Sequence, residues 1–164
     1  MTEVFVGIGS NVEPEKHIRS ALIELAGSFG VLRLSPVYRN RPVGFDGEDF
    51  LNMVVAFDSD LSADDVVKEL GRIEDANGRT RGEAKFSSRT LDLDLLLYGD
   101  KTLRSGSHDI PRDEITRYAF VLRPLSDLAG DQCHPVSGKS YRQLWSEFDG
   151  DARGLMPVPL PLVE

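Results

Sequence analysis

The sequence is short of cysteine, of histidine and of long apolar runs. Cys133 is the only cysteine among 164 residues, so no intrachain disulfide can form. Such cysteine usage fits a reducing compartment, and the cytoplasm is the expected location. No apolar stretch approaches the roughly 20 residues that span a bilayer, which argues against a membrane partner. Met1-Thr2-Glu3-Val4-Phe5 lacks a basic region and reads as the opening of a first strand, not as a signal peptide. Positive charge is scarce too: 19 Lys and Arg stand against 27 Asp and Glu, a formal net charge of −8. A chain of that sign has no general attraction for nucleic acid or anionic lipid. Cys133-His134, His17 and His108 show no zinc spacing. His17 falls within a helical stretch and is expected at the surface.

What is present is a globular composition, 40 % hydrophobic and 28 % charged, enough for one core at this length. A single domain over 1–164 is expected, with its core at about 1–136 and a Pro-rich extended tail at about 156–164. Residues 4–8 read as a strand. Pro14 stands at a first helical position, and Ile18, Leu22 and Leu25 follow at helical spacing up to Gly27 or Gly30. Val31 to Tyr38 reads as a second strand, 39–49 as a polar loop, and Phe50 to Phe57 as a third strand. Ser62-Ala63-Asp64-Asp65 resembles a capping box opening a second helix, with Val66, Leu70 and Ile73 on its apolar face and Asn77-Gly78 at its end. Thr90 to Tyr98 reads as a fourth strand. Residues 111–129 read as a further helical segment interrupted at Pro124. The order β-α-β-β-α-β specifies an α+β, ferredoxin-like fold: an antiparallel sheet with helices packed on one face.

The most informative stretch is Arg89-Thr90-Leu91-Asp92-Leu93-Asp94-Leu95. Strand side chains alternate faces, so Leu91, Leu93, Leu95 and Leu97 share the core side and Asp92 and Asp94 share the other. Their Cα atoms should lie roughly 7 Å apart, which lets both carboxylates converge on one or two hard cations such as Mg²⁺. The plain alternative is an amphipathic strand with a wet face. Asp is depleted in strands, however, and two like charges on neighbouring same-face positions repel. Just upstream, Arg79, Arg81, Lys85 and Arg89 are opposed only by Glu83. Guanidinium groups suit forked contact with phosphate oxygens, so carboxylates and arginines together point to phosphoryl transfer. Other signatures fail. Gly7-Ile8-Gly9-Ser10-Asn11-Val12 lacks the third glycine of a dinucleotide fingerprint. Gly138-Lys139-Ser140 has Cys133 where a P-loop needs its first glycine. The basic-aromatic signature of an RNA-recognition sheet is missing as well.

An ordered set of motifs resembles the 6-hydroxymethyl-7,8-dihydropterin pyrophosphokinase family. It comprises Gly7-x-Gly9-Ser10-Asn11, Val37-Tyr38-Arg39, Phe50-Leu51-Asn52, Arg89-Thr90-Leu91-Asp92-Leu93-Asp94, and Ala119-Phe120-Val121-Leu122 with Pro124-Leu125, spanning about residues 4–136. The resemblance implies transfer of pyrophosphate from ATP to a reduced pterin in folate biosynthesis, with two Mg²⁺ ions on Asp92 and Asp94. Arg79, Arg89 and Asp94 would be catalytic. Glu74, Arg79, Arg81, Arg89, Leu95, Arg112 and Tyr118 would lie on the ATP side. Asn40, Arg41, Val43, Phe50, Asn52, Phe86 and Phe120 would hold the pterin, with Phe50 and Phe120 stacking on its two faces. The chain departs from the family pattern at Phe86, where Trp is frequent, and at Ser87, Arg112 and Tyr118. A monomer is expected, with a dimer also open. The alternative reading is a non-catalytic pterin- or nucleotide-binding relative on the same fold.

Overall fold

A computed structural model of the protein describes residues 1–78 and 90–160. The elements follow in the order β1 (Thr2–Ser10), α1 (Pro14–Phe29), β2 (Arg33–Leu34), β3 (Val37–Asn40), β4 (Phe50–Ser59), α2 (Ala63–Ala76), β5 (Asp92–Tyr98), β6 (Leu103–Ser105), β7 (His108–Ile110), α3 (Glu114–Arg117), α4 (Ala119–Ala129), α5 (Tyr141–Ser146) and β8 (Met156–Val158). The main sheet runs β5-β1-β4-β3-β8, with β2 also paired to β4. Every pairing in it is antiparallel. This is the ferredoxin-like arrangement the element order specified.

Local chemistry accounts for the boundaries. Pro14 opens α1, and Gly30 closes it with φ 84°, a conformation open to glycine and costly for other residues. Ser62 caps α2 by accepting the Asp65 N–H at 3.1 Å, as the capping-box reading required. The expected second strand is broken at Ser35-Pro36 into β2 and β3, because proline cannot donate to a ladder. The Ser35 hydroxyl instead accepts the Val54 N–H at 2.9 Å.

The helical segment at 111–129 is interrupted at Tyr118, not at Pro124. Tyr118 is extended (φ −120°, ψ 129°) and divides α3 from α4. Pro124 lies inside α4 and forfeits only one intrahelical hydrogen bond. Burial of Leu122, Leu125 and Ala129 on the sheet holds the helix together across it. Within the segment expected as a tail, Met156–Val158 is an edge strand paired to β3, and residues 161–164 lie outside the described residues.

The two sheet faces carry different cores. On one, Val4, Val6 and Ile8 of β1 and Met53, Val55 and Phe57 of β4 pack against Ile18, Leu22 and Leu25 of α1 and Val66, Leu70 and Ile73 of α2. The other face also receives helices: Phe5, Val54 and Ala56 pack with Leu122 and Leu125 of α4 and Tyr141 of α5. Leu91, Leu93 and Leu95 join the first core as expected, but Leu97 joins the second. Val6 pairs with Leu95 while Phe5 pairs with Leu97, so Leu96 is the extra residue of a β-bulge. One inserted residue reverses the parity of everything after it.

Candidate functional site

The second face is open where α4 and α5 do not reach, and the register shows what lies there. Cross-strand partners point to the same side of a sheet. Asp92 is opposite Gly9 and Asp94 opposite Gly7. Gly9 is in turn opposite Asn52, and Gly7 opposite Val54. Across β3 the row continues, with Tyr38 opposite Asn52 and Asn40 opposite Phe50. The two glycines put no side chain of β1 between the carboxylates on one side and the asparagine on the other, although the Leu96 side chain packs 3.4 Å from where a Cβ of Gly7 would lie. The emptiness at Gly9 is enforced, since a Cβ there would lie 2.6 Å from Asn52 Oδ1.

On the carboxylate side, Asp92 and Asp94 are half-buried. Arg112 Nη2 lies 3.7 Å from Asp94 Oδ1 and 3.4 Å from Glu114 Oε1. Its backbone N–H donates to Leu96 O at 3.0 Å, which anchors it on the open edge of β5. Glu74 is buried near the end of α2, and its Oε2 accepts the Leu93 N–H at 2.8 Å. That bond clamps α2 to β5 between the two aspartates. A cleft of about 600 Å³ runs along this edge, lined by Glu74, Asp94, Leu95 and Arg112 together with Lys68, Arg72 and His108. Three of the residues assigned to ATP thus meet at one cleft beside Asp94. Leu95 is also part of the core.

The residue types fit a hard divalent cation. Two carboxylates face the open floor, and among the described residues no cluster of three or more His, Cys, Asp or Glu could build a closed metal cage. Mg²⁺ needs no such cage, because it keeps waters and takes substrate phosphates as further ligands.

On the asparagine side, the Asn52 amide donates to Asn40 Oδ1, and Asn40 Nδ2 donates to Arg41 O at 3.0 Å. Both asparagines are buried. Phe50 meets Phe45 edge-on, with centroids 6.3 Å apart. Phe120 lies in the first turn of α4, stacked on Tyr118 at 5.0 Å. Tyr118, assigned to ATP by resemblance, is therefore seated against the ring of Phe120, which the resemblance assigns to the pterin, and is not among the cleft-lining residues. Arg41 and Val43 are exposed on the 41–49 loop. Behind Asn52, the Tyr38 hydroxyl donates to Asp127 of α4 and accepts from Arg123 Nε at 3.0 Å. Burial, and then the Asp127 carboxylate, raise the Tyr38 pKa above its ordinary value, so the phenol stays a donor.

His17 is buried, contrary to the surface placement expected of it. Its Nδ1 is 2.7 Å from Val12 O and 3.1 Å from Glu13 O. It braces a turn in which Glu13 takes φ 43°, and nothing in helical periodicity reports such a bond. Arg79, Arg81, Phe86 and Arg89, with the departure at Ser87, lie outside the described residues. Lys68 and Arg72 of α2 and His108 of β7 also line the cleft, and none of them belongs to a motif the sequence offered.

Paired carboxylates on a sheet face, beside a cleft whose walls carry both cationic and acidic side chains, fit a nucleotide-dependent phosphoryl-transfer protein on a ferredoxin-like sheet. Comparison with known proteins narrows this. Residues 5–130 match the sequence model of 7,8-dihydro-6-hydroxymethylpterin-pyrophosphokinase. A 2-amino-4-hydroxy-6-hydroxymethyldihydropteridine pyrophosphokinase of Synechocystis sp. is 39% identical over 147 residues, covering 88% of this chain and 75% of that protein. The protein of the same name from Pseudomonas aeruginosa is 39% identical over 137 residues, covering 78% and 81%. Among solved structures, wild-type HPPK-DHPS of Plasmodium falciparum superposes with a TM-score of 0.73 at 11% identity, over 90% of this chain and 44% of that one. The present chain thus spans under half of that longer chain, and the likeness there is one of fold. The chain belongs to the 7,8-dihydro-6-hydroxymethylpterin-pyrophosphokinase family. Among the described residues, no helix is long and apolar enough to cross a membrane.

Proposed function

We propose that Asp92 and Asp94 hold two Mg²⁺ ions, that the cleft along β5 receives ATP, and that a reduced pterin lies between Phe50, Asn52 and Phe120. The enzyme is a pyrophosphokinase of folate biosynthesis. It transfers pyrophosphate from ATP to the hydroxymethyl group of 6-hydroxymethyl-7,8-dihydropterin, giving the pterin diphosphate and AMP. The hydroxymethyl oxygen bonds to the β-phosphorus. The bond from that phosphorus to the α,β-bridging oxygen breaks, and its electron pair leaves with AMP. The hydroxyl proton passes to an oxygen base, for which Asp94 is the candidate.

The chain's own groups act mainly by position and charge. When bound, Mg²⁺ would neutralise phosphate oxygens. Arg112 brings a fixed cation to the Asp94 side of the cleft, where nucleotide phosphates would pass. Arg79, Arg81 and Arg89 are assigned phosphate contacts by motif. The Asn40–Asn52 pair offers a rigid amide edge to one side of a flat heterocycle, and Phe50, Phe120 and Phe86 are assigned its hydrophobic walls. A single protomer contains every residue assigned to the site, and a monomer is the state proposed.

The observation that carries this reading is the row Asp92–Gly9–Asn52 across three adjacent strands. It sets a carboxylate and an amide on one face, with Gly9 and no side chain between them, which supports a metal role for the first and a heterocycle-reading role for the second. The test is a product assay with ATP, Mg²⁺ and 6-hydroxymethyl-7,8-dihydropterin. One AMP per pterin diphosphate is expected, with activity abolished by EDTA and restored by Mg²⁺. Formation of ADP would overturn the reaction. Undiminished Mg²⁺-dependent turnover by Asp94→Ala would overturn the metal assignment.

A further inference from the structure

Two side chains at the end of β1 reach both halves of the site. Ser10 and Asn11 follow Gly9 directly, and both are buried, at 0 % and 3 % exposure. The Ser10 hydroxyl donates to Thr90 O at 2.5 Å. Thr90 precedes Asp92 by two residues and leads into β5. The neighbouring amide, Asn11 Nδ2, donates to Glu48 O at 3.1 Å. Glu48 precedes Phe50 by two residues and leads into β4. Adjacent residues thus tie down the entrances of the strand that carries the carboxylates and of the strand that carries the pterin-side amide and ring. The anchor is itself held, because His17 binds Val12 O and Glu13 O across the turn that follows.

We propose that Ser10 and Asn11 are positioning residues that set the spacing between the metal–phosphate half of the site and the pterin half. The inference rests on the reaction proposed above. In-line transfer requires the hydroxymethyl oxygen and the β-phosphorus to meet within a few tenths of an ångström, and misplacement by about 1 Å can cost on the order of 100-fold. A backbone carbonyl accepting a buried side-chain donor is a stiff constraint, and losing one such bond is worth about tenfold. Each half keeps its own contacts when a tie is cut: Glu74 still holds β5, and Asn40 still holds Asn52. Separate ligand binding therefore survives while the alignment between ligands suffers.

Two near-isosteric variants test this. Ser10→Ala removes the hydroxyl, and Asn11→Asp keeps the volume while removing the donor. Steady-state kcat is compared with dissociation constants for α,β-methylene-ATP with Mg²⁺, and for the pterin, each titrated alone by calorimetry. The expected result in each variant is a kcat about tenfold lower, with each separate affinity changed by less than about twofold; Ser10→Thr, which keeps the hydroxyl, restores kcat. Unchanged kcat in both variants overturns the inference, and so does a loss of kcat matched by equal weakening of either ligand alone. Wild-type enzyme that makes no AMP overturns the proposed reaction and this inference together, whereas AMP from the wild type with undiminished kcat in both variants overturns this inference by itself.

Discussion

Gly9 shows how a missing atom can be a functional requirement. Its place opposite both Asp92 and Asn52 makes it the floor of the site, and Asn52 Oδ1 sits where a Cβ would go. In Gly9→Ala the Asn52 amide must swing away and give up its bond to Asn40. Pterin affinity should fall by roughly tenfold or more, the worth of about one lost buried hydrogen bond. Affinity for Mg²⁺ and the ATP analogue should change little; titrating the two ligands separately checks the contrast. Arg112 and Tyr118 show the opposite case, of residues whose surroundings redefine them. Arg112 is held by carboxylates on both sides, and Tyr118 spends its ring on Phe120. Motif comparison marked both as departures, and only neighbours distant in sequence could say what they do instead.

At the level of elements, the site depends on β5, an edge strand with α2 clamped to its free side. The clamp is one buried carboxylate, Glu74, accepting the Leu93 N–H. A hydrogen bond to a charged group contributes about 1.5–3 kcal/mol. Glu74→Ala should therefore lower unfolding free energy by roughly 2 kcal/mol, measured by urea denaturation, and should weaken Mg²⁺-dependent ATP binding because Asp92 and Asp94 flank the released N–H. On the far edge, β8 covers β3 with Pro157 opposite Tyr38. A proline is tolerated there because an outermost strand has one side of its ladder unused. The alternation of leucines in β5 was legible as far as Leu95. The bulge at Leu96 was not, since a register shift is decided by the partner strand.

The molecule as a whole is a sheet with one fully covered face and one partly covered face, and stability on the second depends on the turn between α4 and α5. His134 lies there, its Nδ1 accepting the N–H groups of Val136 and Ser137 at 3.1 and 3.3 Å. Burial pushes its pKa below the ordinary 6.5. The unfolded chain therefore takes up a proton near that value while the folded chain resists it, so this contribution is complete above about pH 6.5 and is lost as pH falls through it. Thermal melts at pH 8 and pH 5.5 should show a drop in Tm, and His134→Asn should show a smaller one.

The sequence by itself determined the β-α-β-β-α-β series, the two capped helices, most of the first-face core and the Asp92–Asp94 pair. Each of these is a consequence of short-range periodicity, which repeats every two or 3.6 residues and can be read along the chain. Helix α4 was legible only as part of a helical segment at 111–129, not as the cover of a second face, and α5 was not read from the sequence. The break at Tyr118, the burial of His17 and the cleft assembled from α2, β5 and β7 were decided by tertiary structure alone. The same is true of the ties from Ser10 and Asn11 to Thr90 and Glu48. Those bonds join residues 37 and 80 positions apart, and a single polar side chain carries no local sign of which distant carbonyl it will meet once the sheet has closed.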